Sequence, residues 1–128
     1  MIMEYGKIAG IGAPFSRIVF GCGVARMQAG EDASDLLDAA AEAGVNAFDT
    51  ARVYGKSEES LGRWLAARRR EKVLVITKGC HPLFDGTRRV GKRYIEEDLF
   101  RSLDALKTDY VDLYLLHRDD ETVPVGEI

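Results

Sequence analysis

Cysteine, proline, histidine and tryptophan are all scarce in this sequence, with two, three, two and one residues in 128. Two cysteines are too few for a disulfide scaffold and suit a reducing compartment. Cys22 and Cys80 fall just after the first and third of the strands read below. Strands two places apart in a sheet lie about 9.5 Å apart, beyond the roughly 7 Å that a disulfide can bridge, so no bond between them is expected. Positive charge is also lacking. A net charge of −3 excludes a nucleic-acid groove or an anionic membrane surface as the main partner, because both need a concentrated positive field. The one basic run, Arg68, Arg69 and Arg70, is expected in the last turn of a helix, where cations complement the helix dipole. No stretch approaches the ~20 apolar residues of a membrane span. The opening segment MIMEYGKIAG carries an acid and no apolar core of a signal peptide, so the expected compartment is the cytoplasm. No internal repeat or low-complexity segment is present.

The chain does contain a regular alternation of strand and helix patterns, within a length that allows one domain at most. Residues 18–21, 46–49, 73–77 and 111–117 read as strands. VLVIT and VDLYLL are nearly continuous apolar runs, the mark of parallel strands covered on both faces. Three helical patterns lie between them. The first, residues 32–43, carries Leu36, Leu37 and Ala40 on one side and stops at Gly44, a natural residue just past a helix end. The second begins at Ser57, expected as its N-cap, with Glu58 and Glu59 in the first turn and Leu61, Trp64 and Leu65 packing on the sheet. The third, residues 92–107, sets Ile95, Leu99, Leu103 and Leu106 in an apolar stripe.

The markers Gly21, Asp49, Lys78 and His117 are separated by 28, 29 and 39 residues, room for one crossover helix each time. Right-handed crossovers between neighbouring strands build a (β/α) barrel. A doubly wound sheet is the alternative. Its dinucleotide-binding form is weakened because Gly21-Cys22-Gly23 is followed by Arg26 where the third glycine of G-x-G-x-x-G belongs.

Asp49, Lys78 and His117 each stand at the carboxyl end of a strand, and Tyr54 follows five residues after Asp49. In a parallel barrel all four project into one mouth, where catalytic groups of that architecture sit. A phenol ordinarily ionises near pH 10 and is a slow acid at neutrality, so it needs a neighbouring cation that favours phenolate. Lys78 is the candidate cation, and Asp49 would hold it charged and oriented. His117 could donate to the same carbonyl oxygen. Such a site moves a proton while a hydride comes from elsewhere. Singly, each residue has an ordinary structural explanation, and it is their joint placement that points to chemistry. Cys80 and His81 with Cys22 and His117 lack the spacing of a metal site, so no metal is expected.

These residues carry a resemblance. GVNAFDTARVYGKSEESLGRWL resembles the aspartate and tyrosine signature of the aldo-keto reductase family, VLVITKG its lysine strand, and LYLLHRDD its histidine strand. MEYGKIAGIGAPFSRIVFGCG is similar to the N-terminal hairpin that plugs the floor of such a barrel. The resemblance implies an α/β fold, the N-terminal half of a (β/α)8 TIM barrel, with four parallel strands, three crossover helices and a β-hairpin over residues 1–128. It implies a catalytic tetrad of Asp49, Tyr54, Lys78 and His117. Tyr54 would be the general acid, Lys78 and Asp49 its tuning pair, and Tyr54 and His117 the groups touching a small aldehyde or ketone. NADP(H) would be the hydride donor, with Gly21, Cys22 and Asp49 near it. The chain stops at VPVGEI, after the fourth strand of such a barrel, and the later strands are expected to supply most cofactor contacts. The competing expectation is a non-catalytic module that binds a partner, or itself, through open barrel edges.

Overall fold

The structure, a computed structural model, describes residues 2–128. An antiparallel hairpin, β1 (Tyr5–Gly6) and β2 (Phe15–Ser16), leads into β3 (Phe20–Gly21), α1 (Ala25–Gln28), α2 (Ser34–Glu42), β4 (Ala47–Asp49), α3 (Ser57–Leu65), β5 (Leu74–Gly79), α4 (Lys92–Leu106) and β6 (Leu113–Leu116). Strands β3, β4, β5 and β6 form one parallel sheet in sequence order. A doubly wound sheet reverses its order at a switch point, so this arrangement is the barrel-like one.

Side chains alternate across each strand, and the alternation divides the core in two. Phe48 and Val75 face the helices with Leu37, Leu61, Trp64 and Leu106. Ala47, Leu74 and Ile76 face the other way and pack with Phe15 of the hairpin and Leu113. Asp49 shares the face of Ala47, and Lys78 that of Leu74 and Ile76. The same period carries the inward face of β6 from Leu113 to His117. The polar tips of three strands thus cap one apolar inner layer. The hairpin is stitched beneath that layer: Asn46 Oδ1 accepts the Ser16 amide at 2.8 Å and Asn46 Nδ2 donates to Pro14 O at 2.9 Å.

Several local expectations are corrected. Ser57 lies inside α3, and Lys56 takes the N-cap position with no side-chain bond. The Ser57 hydroxyl instead donates to Cys22 O at 2.7 Å and accepts from Thr50 Oγ1 at 3.1 Å, tying β3 to the loop after β4. Glu58 is buried, where it accepts from Thr77 Oγ1 at 2.7 Å and pairs with Arg52. The basic run lies beyond the end of α3. Arg68 stacks on Trp64 and pairs with Asp38, while Arg70 stacks on Tyr110 and pairs with Asp112 at 2.9 Å. Helix α1 adds a short helical turn between β3 and α2 that is not among the three helical patterns. On α4 the fully buried residues are Asp98, Ser102 and Leu106, with Ile95, Leu99 and Leu103 half-buried beside them. The stripe is therefore rotated toward a carboxylate whose partners come from other parts of the chain.

Helices α3 and α4 come into close contact at Gly62, where an added Cβ would sit 2.7 Å from Ala105 O and 2.8 Å from Leu106 O. Alanine is the better helix former by about 1 kcal/mol, but backbone atoms on a packed helix cannot step aside. Gly62→Ala is expected to lower stability by about 1–3 kcal/mol, read as a lower urea midpoint with an unchanged slope.

Candidate active site

Lys78, near the end of β5, reaches across to the end of β4. Its Nζ donates to both Asp49 oxygens, at 2.7 and 2.8 Å, and to Thr50 O at 2.7 Å. All three ammonium hydrogens are therefore satisfied, and with side-chain exposures of 15% and 29% the pair is shielded yet open to a ligand. The parallel register makes this reach possible by placing Asp49 beside Ile76, two residues before Lys78.

Tyr54 is delivered by a loop fixed to the sheet backbone. Thr50 N–H donates to Ile76 O and Arg52 N–H to Lys78 O, both at 2.9 Å. The chain then turns at Gly55, whose φ of +55° lies in the left-handed region and whose added Cβ would be 2.6 Å from Gln28 O. Glycine is required there on both counts. The turn sets the Tyr54 ring with its centroid 5.1 Å from Lys78 Nζ and edge-on to His117 at 5.6 Å.

His117 follows β6 and is fixed by its amide, which donates to Gly79 O at 2.8 Å. Its Nδ1 is buried with no partner among the described residues. A buried N–H without an acceptor costs about 1–3 kcal/mol, so the neutral ring with its hydrogen on Nε2 is favoured. Burial, then the neighbouring His81 and Lys78, hold the His117 pKa below the ordinary histidine value of 6.5. Protonation is thus harder in the folded state. The stability this shift contributes is complete above about pH 6.5 and is lost as pH falls through 6.5 toward the lower folded value. His117→Gln is expected to flatten that limb in urea titrations taken across the range.

The four predicted tetrad residues converge, but the three expected cofactor contacts divide. Gly21 is exposed, with nothing within 4 Å of where a side chain would stand, and the Asp49 carboxylate keeps accessible surface and lone pairs beyond those used by Lys78. Cys22 is the correction. It is 0% exposed, its amide donates to Asp49 O at 2.8 Å and its carbonyl is taken by Ser57. Burial foremost, helped by Asp49, pushes its thiol up to about 12. It offers a ligand neither side chain nor backbone. Gly21 and Asp49 leave accessible surface at the strand ends, whereas Cys22 supports the strand from behind. His81, weighed from sequence only as a metal ligand, stands edge-on to His117 at 4.9 Å. Its only sequence signal is its position three residues after Lys78.

The family model described as Aldo/keto reductase family matches residues 17–128. The chain belongs to the aldo/keto reductase family. An uncharacterized oxidoreductase, YrpG, of Bacillus subtilis is 32% identical over 98% of this chain and 43% of that protein. A probable voltage-gated potassium channel subunit beta of Oryza sativa is 36% identical over 98% of this chain and 40% of its own length. A solved aldo-keto reductase of Bacillus halodurans, in a holo form, superposes with a TM-score of 0.80 at 31% identity, covering 98% of this chain and 43% of that one. The chain thus spans somewhat under half the length of these relatives. The four parallel strands, the hairpin and the crossover helices are the N-terminal part of the family's barrel.

Proposed function

We propose that Asp49, Tyr54, Lys78 and His117 form the proton-handling part of a site that reduces an aldehyde or ketone with NADP(H). The observation that carries this reading is the convergence of a phenol, a fully bonded ammonium and a neutral imidazole at the ends of adjacent strands. Bound there, the nicotinamide would supply a hydride; Gly21 and Asp49 are the residues of this chain that would hold it.

The remaining steps fall to the side chains. Tyr54 gives its proton to the carbonyl oxygen as that oxygen gains negative charge, and takes a proton back when an alcohol is oxidised. The Lys78 ammonium, 5.1 Å from the Tyr54 ring centroid, offsets the negative charge that develops in the site, and Asp49 with Thr50 O keeps that ammonium in place. His117 donates from Nε2 to the same oxygen, fixing its angle and sharing its charge. The reading includes a cytoplasmic setting.

A second reading has one supporting observation, the relative named as a channel subunit. On that reading the chain is a non-catalytic module that binds a partner, or pairs with itself through the sheet edges at β3 and β6. One experiment separates the two: the full-length protein is titrated with NADPH, followed by nicotinamide fluorescence, and then assayed with a panel of aldehydes and ketones. The enzymatic reading expects NADPH to be consumed only when a carbonyl is added. Saturable NADPH binding with no reduction of any panel member would favour the non-catalytic reading.

A further inference from the structure

A second set of buried charges lies beside the four-residue site. Asp98, on α4, is 2% exposed. Its two oxygens take a bidentate pair of bonds from Arg89, at 2.8 and 2.9 Å, and Oδ2 also accepts the Cys80 amide at 2.8 Å. A buried carboxylate is tolerable only when it is paired and hydrogen-bonded, and both conditions are met here. Cys80 and Arg89 stand near opposite ends of the segment that joins β5 to α4, so one carboxylate fastens both.

The fastening has a geometric consequence. Cys80 has φ of 60°, in the left-handed region that a residue with a Cβ seldom enters, and the bond from its amide to Asp98 holds that kink. The kink turns the chain between Lys78 and His81. His81 then meets His117 edge-on at 4.9 Å with the rings at 88°. Its own ring is fixed by Nδ1, which donates to Pro82 O at 2.8 Å. His81, Arg89 and Asp98 also share the wall of a cavity of about 430 Å³, with Arg52 and Leu83.

We propose that Asp98 is a positioning residue: by clamping Cys80 and Arg89 to α4 it holds His81 against His117, and so fixes the ring that orients the carbonyl. The proposal rests on the enzymatic reading for its kinetic consequence, and on the geometry alone for its effect on the His117 ring.

The test compares wild-type full-length protein with Asp98→Asn by NMR of the imidazole resonances, with His81 identified through His81→Gln. Steady-state carbonyl reduction is measured in parallel. Asp98→Asn keeps the shape but presents an amide NH2 to the Arg89 fork. It is expected to shift the His117 resonances and to lower kcat by up to about 100-fold, as a displacement of about 1 Å can do, with NADPH affinity unchanged. If Asp98→Asn does not fold, Arg89→Met removes the clamp from its more accessible side and is read in the same way, with Arg89→Lys expected to restore part of kcat. A folded Asp98→Asn or Arg89→Met with wild-type His117 resonances overturns the proposal. A wild-type protein that reduces no carbonyl sinks the enzymatic reading, while the resonances still decide whether the clamp positions His117.

Discussion

Tyr54→Phe is expected to remove carbonyl reduction by the full-length protein, with kcat falling about 100- to 10,000-fold, the usual worth of a positioned acid. NADPH affinity should stay within a few-fold. The substitution deletes one oxygen from a ring held by its backbone turn at Gly55 and by its edge contact with His117, and neither constraint uses the hydroxyl. The residues proposed to meet the cofactor, Gly21 and Asp49, are untouched. A phenylalanine enzyme that turns over like wild type would remove Tyr54 from the mechanism.

Lys78→Met should be nearly as damaging to turnover and, unlike Tyr54→Phe, should also destabilise the fold. The substitution strips the Asp49 carboxylate and Thr50 O of three bonds of 2.7–2.8 Å. Breaking a fully buried pair costs about 3–5 kcal/mol, but exposures of 15% and 29% let water compensate, so about 1–3 kcal/mol is expected after that screening. Lys78→Met/Asp49→Asn, which removes the stranded charge as well, should recover part of the stability and none of the activity. Recovery of turnover in the double variant would show that Lys78 serves structure alone.

The parts of the molecule that could be read from sequence are those fixed by local pattern. The apolar run around Val75 announced a parallel strand because β5 is buried on both faces, the run around Leu113 announced its half-buried neighbour β6, and the polar residues at their ends marked the candidate site because a strand end is where the inner layer stops. What could not be read depended on partners distant in sequence. Asp98 looks like a solvated charge on a helix surface until Arg89 and the Cys80 amide arrive to bury it. Ser57 and Glu58 look like ordinary helix-start residues, yet their side chains are taken by Cys22 O and Thr77. The family resemblance alone places Cys22 near a cofactor, but the turn after β3 folds its thiol into the helix-side core. His81 drew attention only as a possible metal ligand. Its place beside His117 follows from a left-handed kink at Cys80 that no residue type signals.

The central claim is that this cluster delivers a proton to a carbonyl that receives its hydride from NADPH in the same site. It is tested most directly by a single turnover of the full-length protein loaded with NADPH deuterated at its reacting carbon, with the product alcohol analysed by mass spectrometry. The account predicts an alcohol labelled at the former carbonyl carbon in the wild type, and no such burst from Tyr54→Phe carrying the same bound cofactor. An unlabelled alcohol, or an equal labelled burst from Tyr54→Phe, would contradict it.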